Sequence, residues 1–209
     1  MLRRCVACAA LAVLSACAVG RQSSDACAPV RVITWNIAAG HGDLGKVAET
    51  LRDLKPDIIA VQEVDVRWSE RSAFVDQADS LGKFLKMNVR FGPIYDFAPR
   101  QFGVAILSRY PIVSSINHEI TRLSTQQQNP VPAKAPGFLE AVIDVAGTRV
   151  RVFSTHLDYR SDPSVRERQV KEMLEVIQGS SVPIILAGDM NAPPPSNELA
   201  PLFKSLVTL

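Results

Sequence analysis

The distribution of apolar residues predicts that strands and helices alternate from the start of the folded region. Residues 30–37 form a β-branched run that predicts a strand, and residues 57–64 form a second apolar run typical of a buried strand. Asp43 is a good helix N-cap, and five apolar residues recur after it at helical spacing: Leu44, Val47, Ala48, Leu51 and Leu54. This strand–helix–strand order favours an α/β arrangement.

The pattern continues with elements of both kinds. Residues 72–87 predict a helix, with one apolar face formed by Phe74, Ala78, Leu81 and Leu85. Residues 102–115 predict two strands around a turn at Tyr110 and Pro111. The later segments predict, in order, a hairpin over 137–158, a helix over 162–179, a strand over 182–191 and a short helix over 197–209. Ser164 and Glu167 have the spacing of a capping box at the start of the penultimate helix.

The first residues have the pattern of an export signal. Arg3 and Arg4 precede a short apolar stretch, which predicts a signal peptide over residues 1–16. The sequence Leu-Ser-Ala-Cys, ending at Cys17, resembles a bacterial lipobox, so we expect Cys17 to be acylated and residues 17–29 to act as a tether. The alternative is an ordinary signal peptide cleaved near Ala16 or Ala18.

The lipoprotein interpretation predicts a location and a partner. We expect a membrane-anchored protein of the bacterial cell envelope, periplasmic or at the outer membrane, which contacts the membrane through its N-terminal lipid. The alternative signal peptide predicts secretion instead. The sequence gives no reason to infer a protein partner.

Composition and charge limit the remaining possibilities. The 209 residues are 47% apolar, which suits one globular domain. Removing Arg3 and Arg4 reduces the 23 basic residues to 21, equal to the 21 acidic ones. A neutral mature chain argues against binding to duplex DNA, which normally requires a basic surface. Cys27 would be the one cysteine left besides Cys17, so no disulfide framework is expected.

Polar side chains that suit phosphate chemistry stand at the ends of four predicted strands: Asn36, Glu63, His156, and the pair Asp189 and Asn191. Ligands in α/β proteins bind beyond strand ends. These groups offer a carboxylate for a hard cation, an imidazole for proton transfer, and amides for phosphate. The alternative is a plain α/β domain in which each of them only caps a turn.

Five motifs in this order resemble the endonuclease/exonuclease/phosphatase superfamily: TWNI, DIIAVQEVD, GVAILSRYPI, FSTHLD and ILAGDMNAPP. The superfamily includes DNase I, exonuclease III, sphingomyelinases and inositol-polyphosphate 5-phosphatases. The resemblance covers residues 30–200 approximately. It implies an α/β (α+β) fold, a DNase I-like sandwich of two mixed β-sheets flanked by helices.

The resemblance also implies roles for the polar residues. Glu63 matches the carboxylate that holds Mg²⁺ (or Mn²⁺), and Asn36 matches the amide beside the metal and phosphate, so both are predicted as metal-site residues. Asp189 matches the aspartate that orients or activates the attacking water, and Asn191 the asparagine that steadies the phosphate. His156 matches a histidine that hydrogen-bonds the phosphate or assists proton transfer. The implied activity is metal-dependent hydrolysis of phosphodiesters or phosphomonoesters, on a lipid head group or a nucleotide.

The sequence departs from the family pattern in several places. Relatives carry an Asp-His pair some tens of residues after the GDxN motif, but the three histidines here are His41, His118 and His156. We therefore expect the domain over residues 30–209 to be C-terminally incomplete, without the closing strands, and weak in stability and activity. The alternative function is a catalytically impaired remnant or a binding protein on the same scaffold.

Two further positions depart from the family pattern less strongly, and four residues are candidates for contact with the substrate. Val104 and Pro136 stand where relatives often have Asn and Arg. Candidate substrate contacts are His41, Tyr95, Arg100 and Tyr159; the alternative is a solvated loop histidine at position 41 and ordinary surface residues at the other three.

Overall fold

The computed structural model describes residues 29–40 and 43–207. The predicted signal peptide, Cys17, nearly all of the tether and His41 lie outside the described residues. In the described part of the chain, no helix is long and apolar enough to cross a membrane.

The structure contains eight strands and four α-helices in the described residues. The strands are β1 (Val32–Asn36), β2 (Ile58–Val66), β3 (Asn88–Phe97), β4 (Arg100–Ser108), β5 (Ile112–Arg122), β6 (Ala133–Val145), β7 (Thr148–His156) and β8 (Ile184–Asp189). The helices are α1 (Leu44–Leu54), α2 (Gln77–Leu85), α3 (Ser164–Ile177) and α4 (Ala200–Ser205). Two short 3₁₀ turns, Ala38–Gly40 and Glu70–Ser72, follow β1 and β2.

The strands form two four-stranded mixed sheets. Sheet A has the order β1-β2-β4-β3, and sheet B has the order β5-β6-β7-β8. One pair in each sheet is parallel, β1 with β2 and β7 with β8, and the other pairs are antiparallel. The predicted sandwich of two mixed sheets flanked by helices is confirmed.

The two sheets bury their inner faces against each other, and helices cover their outer faces. The inner core joins Ile58, Val104 and Ile106 of sheet A to Leu139 and Val152 of sheet B, all buried. A second cluster lies between sheet A and helices α1 and α2, and a third lies between sheet B and helices α3 and α4. This layered packing aligns β1 and β2 with β7 and β8, so that polar ends of strands from both sheets meet.

Two local predictions are wrong, and one strand has no counterpart among the predicted elements. Strand β3 was not predicted, because Gly92 and Pro93 interrupt its apolar pattern, yet it pairs with β4 along its length. Phe74 lies before α2 rather than on its buried face, and its side chain is 54% exposed. The capping box does not form, because Ser164 is already helical and donates its backbone N–H to the carboxylate of Asp162.

Candidate active site

Asn36, at the end of β1, joins the two sheets at one end of the sandwich. Its side-chain Nδ2 donates to Glu63 Oε1 of sheet A at 3.0 Å and to Asp189 Oδ2 of sheet B at 2.8 Å. The backbone N–H of Ala38 donates to Asn36 Oδ1 at 2.9 Å, which fixes the orientation of the amide. An amide N–H, rather than an amide oxygen, therefore faces both carboxylates, and Asn36 holds them at one place.

Glu63 lies in a β-bulge within β2, whereas the sequence predicted a strand end. Val61 pairs with Ala105 and Val64 with Gly103, so Gln62 and Glu63 together oppose a single residue of β4. Glu63 has a left-handed backbone conformation, with φ 54°. Bulges of this kind redirect a side chain and are common beside active sites. The bulge turns the Glu63 carboxylate towards Asn36 and the open end of the sandwich.

His156 ends β7 directly beside Asp189, the last residue of β8, in the parallel register. The distance from His156 Nε2 to Asp189 Oδ2 is 3.8 Å, which is too long for a hydrogen bond. Burial lowers the pKa of His156 below its ordinary value, and the Asp189 and Glu63 carboxylates offset only part of this effect. The imidazole is therefore neutral near pH 7 and can accept a proton.

Asn191 helps to fix the loop that follows β8. Its backbone N–H donates to Asp189 Oδ1 at 3.0 Å, and its Nδ2 donates to the carbonyl of Leu157 at 2.9 Å. Its φ of 50° is left-handed, a conformation that asparagine tolerates better than most residues. Asn191 thus orients Asp189 and ties the β8 loop to the loop after His156.

A cavity of about 210 Å³ opens beside these residues, with Glu63 and His156 in its wall. Tyr95 and Tyr159, predicted as substrate contacts, also line it, whereas Arg100 lines a separate hollow with Trp68 and Phe97. The cavity wall includes three side chains that sequence reasoning did not select: Arg71, Phe102 and Arg122. No sequence pattern marks these three, because their neighbours in the site are distant along the chain.

The donor set is compatible with a Mg²⁺ ion. Among the described residues, no group of three or more His, Cys, Asp or Glu side chains is arranged to hold a metal ion. Mg²⁺ nevertheless binds commonly through one or two carboxylates, with water and substrate oxygens filling the other positions. The only side-chain hydrogen bond that Glu63 accepts within the described part is made by Oε1, so its second oxygen is available to a cation.

The lowered pKa of His156 gives a prediction about pH. Between its folded pKa and the ordinary value of about 6.5, the unfolded chain binds a proton that the folded chain does not. The contribution of His156 to stability is therefore fully present above that value and is lost as the pH falls through this window. We expect the His156 ring to titrate, by NMR without added metal, at a lower pH than free histidine. A midpoint at or above that of free histidine would show that the imidazole is not buried as described.

Comparison with solved structures defines the class of fold. An endonuclease/exonuclease/phosphatase from Beutenbergia cavernae superposes with a TM-score of 0.62 at 22% identity, covering 81% of this chain and 50% of that one. The fold is therefore the DNase I-like α/β sandwich. The model of the Endonuclease/Exonuclease/phosphatase family matches residues 33–205, and the chain belongs to this family.

Two curated proteins are similar to this chain in sequence. It is 27% identical over 159 residues to protein cwh43 of Schizosaccharomyces pombe, covering 74% of this chain and 15% of that protein. It is 30% identical over 125 residues to sphingomyelinase C of Bacillus cereus, covering 52% of this chain and 36% of that protein. The chain thus spans well under half the length of either relative.

Proposed function

We propose that this protein is a divalent-metal-dependent hydrolase of phosphoric esters, acting first on phosphodiesters. One observation carries the proposal: Asn36 binds the carboxylates of Glu63 and Asp189 together, although they belong to different sheets. An amide placed only to cap a turn would not need to bridge two carboxylates. The turn-cap alternative therefore accounts for the bond from Ala38 to Asn36 but not for this pairing.

Glu63 is the residue that would hold the metal. A bound Mg²⁺ or Mn²⁺ supplies charge that polarises a phosphoryl oxygen and stabilises the transition state. Asn36 was predicted as a second metal residue. Its amide nitrogen faces the carboxylates, so we assign it the task of positioning Glu63 and Asp189.

Asp189 orients the attacking water. Its Oδ1 is held by the backbone of Asn191 and its Oδ2 by Asn36, which leaves the carboxylate in a fixed orientation at the open end of the sandwich. The water oxygen forms a bond to phosphorus as the bond to the leaving oxygen breaks, and Asp189 accepts a hydrogen bond from that water. His156, neutral and 3.8 Å from Asp189, accepts the proton that the water loses and then returns it to the leaving oxygen.

Binding without turnover is the second candidate function. His156 is the one imidazole that the described residues bring to this site, because His118 is hydrogen bonded to Glu140 at 2.7 Å on the helix-covered face of sheet B. The relatives carry a second histidine in their Asp-His pair, so a site with a single imidazole has one group fewer than theirs for moving protons. Binding of Mg²⁺ without hydrolysis of any phosphoester would support this second function.

We propose that the substrate is a lipid head-group diester, with a short nucleotide as the alternative. The zero net charge of the mature chain and the similarity to the relative named sphingomyelinase C support a lipid substrate. The aromatic side chains in the cavity wall suit a lipid head group or a nucleotide. Sphingomyelin, phosphatidylinositol and DNA should be assayed side by side. Faster cleavage of DNA than of both lipids would contradict the lipid assignment.

We also propose that residues 1–16 direct export, that Cys17 carries the lipid anchor, and that residues 17–29 tether the domain to the bacterial envelope. The support is the Leu-Ser-Ala-Cys sequence behind a short apolar stretch. Cys17→Ser should abolish the incorporation of labelled palmitate into the protein during growth in a bacterial host. A variant that still incorporates the label would contradict lipidation at this residue.

The enzymatic proposal is tested with an activated diester. Purified protein lacking the signal should hydrolyse bis(4-nitrophenyl) phosphate in the presence of Mg²⁺, and hydrolysis should stop when EDTA is added. Adding excess Mg²⁺ back should restore the rate, which separates metal dependence from damage by EDTA. Equal rates with Mg²⁺ and with EDTA would contradict the proposal.

A further inference from the structure

Arg122 is a cation of the active-site cavity that has no carboxylate partner among the described residues. It is the last residue of β5, it is partly buried, and it lines the cavity together with Glu63 and His156. Arg71, the other arginine of this wall, is paired with Asp65 through two hydrogen bonds of 2.7 and 2.9 Å. The ion pairs of the described chain do not include Arg122, so its charge is available to a ligand.

Backbone carbonyls hold the Arg122 side chain in place. Its Nε donates to Pro136 at 2.8 Å, Nη1 to His156 at 3.1 Å and Nη2 to Gly137 at 2.9 Å. Carbonyl oxygens orient a guanidinium but do not neutralise its charge. A guanidinium has five N–H donors, and these three bonds leave two of them for another acceptor.

Gly137 shows that the backbone is shaped around this guanidinium. Its φ of +128° is a conformation that other residues rarely adopt. A Cβ at this position would lie 2.4 Å from Arg122 Nη2 and 2.5 Å from Ile94 Cγ1. Only glycine therefore permits the close approach that brings the planar group to the carbonyls of residues 136 and 137.

The hydrogen bonds that hold Arg122 among the described residues all come to backbone carbonyls, so no carboxylate neutralises its charge directly. Burial lowers the pKa of Arg122 to about 10, which still leaves the group charged at neutral pH. Its charge also contributes to lowering the pKa of His156, so the guanidinium acts electrostatically on the imidazole. A partly buried cation without a counter-ion is costly, and an arginine fork matches two oxygens of a phosphoryl group.

We propose that Arg122 is a phosphate-binding residue, whose free N–H groups hold two oxygens of a tetrahedral phosphoryl group in the cavity. The assignment rests on the proposed function, because it takes the phosphoryl group as the substrate's reacting centre. It gives the cavity wall that contains Glu63 a positive group. Arg122 thereby draws an anionic substrate towards two carboxylates that would otherwise repel it.

The test is binding of inorganic phosphate to the protein, measured by titration calorimetry in EDTA so that no metal bridges the anion. Arg122→Gln should weaken phosphate binding by about tenfold to a hundredfold, the value of a charged hydrogen bond. Arg109→Gln is the matched control, because it also removes one positive charge, here an exposed one at the opposite end of sheet A, and should bind phosphate as wild type does. Wild-type affinity in Arg122→Gln, or no phosphate binding by the wild type, would overturn the proposal.

A second variant and a second readout keep the test decisive. If Arg122→Gln does not fold, Arg122→Lys keeps the charge but loses the two-pronged geometry, and should bind phosphate about tenfold more weakly. Wild-type affinity in the lysine variant would overturn the assignment. Hydrolysis measured on the same samples separates the two claims. Arg122-dependent phosphate binding without any turnover would overturn the proposed hydrolase and leave the phosphate site intact.

Discussion

Replacing Asp189 with asparagine is expected to lower metal-dependent turnover by about 10²–10⁴-fold, the usual contribution of a positioned acid–base group. The substitution keeps the shape of the side chain, but its single amide oxygen can accept from only one of the two present donors, the Asn191 backbone N–H and Asn36 Nδ2. It replaces the carboxylate with a neutral amide, which is a much weaker acceptor for the hydrogen bond that orients the attacking water. The measurement is the rate of bis(4-nitrophenyl) phosphate hydrolysis at saturating Mg²⁺.

Asp144→Asn is the matched control for Asp189→Asn. Asp144 also accepts a backbone N–H, from Gly147 at 2.7 Å, but it lies beside the β6–β7 turn at the far end of sheet B. We expect this variant to turn over at the wild-type rate. An Asp189→Asn enzyme that retains the wild-type rate would show that Asp189 orients the loop but takes no part in the reaction.

Replacing Glu63 with glutamine is expected to reduce turnover by at least about a hundredfold, because a bound metal contributes several kcal/mol to transition-state stabilisation. Glutamine retains an oxygen that can accept the Asn36 hydrogen bond but removes the negative charge. The second expected result is that Mg²⁺ no longer raises the melting temperature, because stabilisation by a ligand requires binding to the folded state.

Glu49→Gln provides the control for Glu63→Gln. Glu49 is exposed on α1, so this variant loses the same charge without touching the site. It should keep both the wild-type rate and the shift of melting temperature with Mg²⁺. If Glu63→Gln is still stabilised by Mg²⁺ as the wild type is, the metal binds elsewhere and Glu63 is not its ligand.

The fold was predictable because its signals are local. The helical spacing after Asp43, the apolar run from residue 57 and the five family motifs each lie within a short stretch of sequence. Strand β3 was missed because Gly92 and Pro93 are poor strand residues in isolation. They are tolerated here because β3 is an edge strand of sheet A and, among the described strands, pairs with β4 alone.

The sequence predicts which residues belong to the site, but it does not predict the contacts between them. The motifs marked Asn36 and Asp189, but the hydrogen bond between them joins residues 153 positions apart and depends on how the sheets pack. The bulge at Glu63 could not be predicted from the sequence either, since Gln62 and Glu63 continue an ordinary strand pattern. Arg122 carries no local signal, because its environment comes from the carbonyls of residues 136, 137 and 156.

The two sheets are best shown to form one catalytic unit by the turnover of the Glu63→Gln/Asp189→Asn double variant beside both single variants and the wild type. Residues that act as a unit have strongly non-additive effects. We expect a metal-dependent wild-type rate and a double variant no slower than the slower single variant. Losses that multiply in the double variant, or a wild type without turnover, would contradict this expectation.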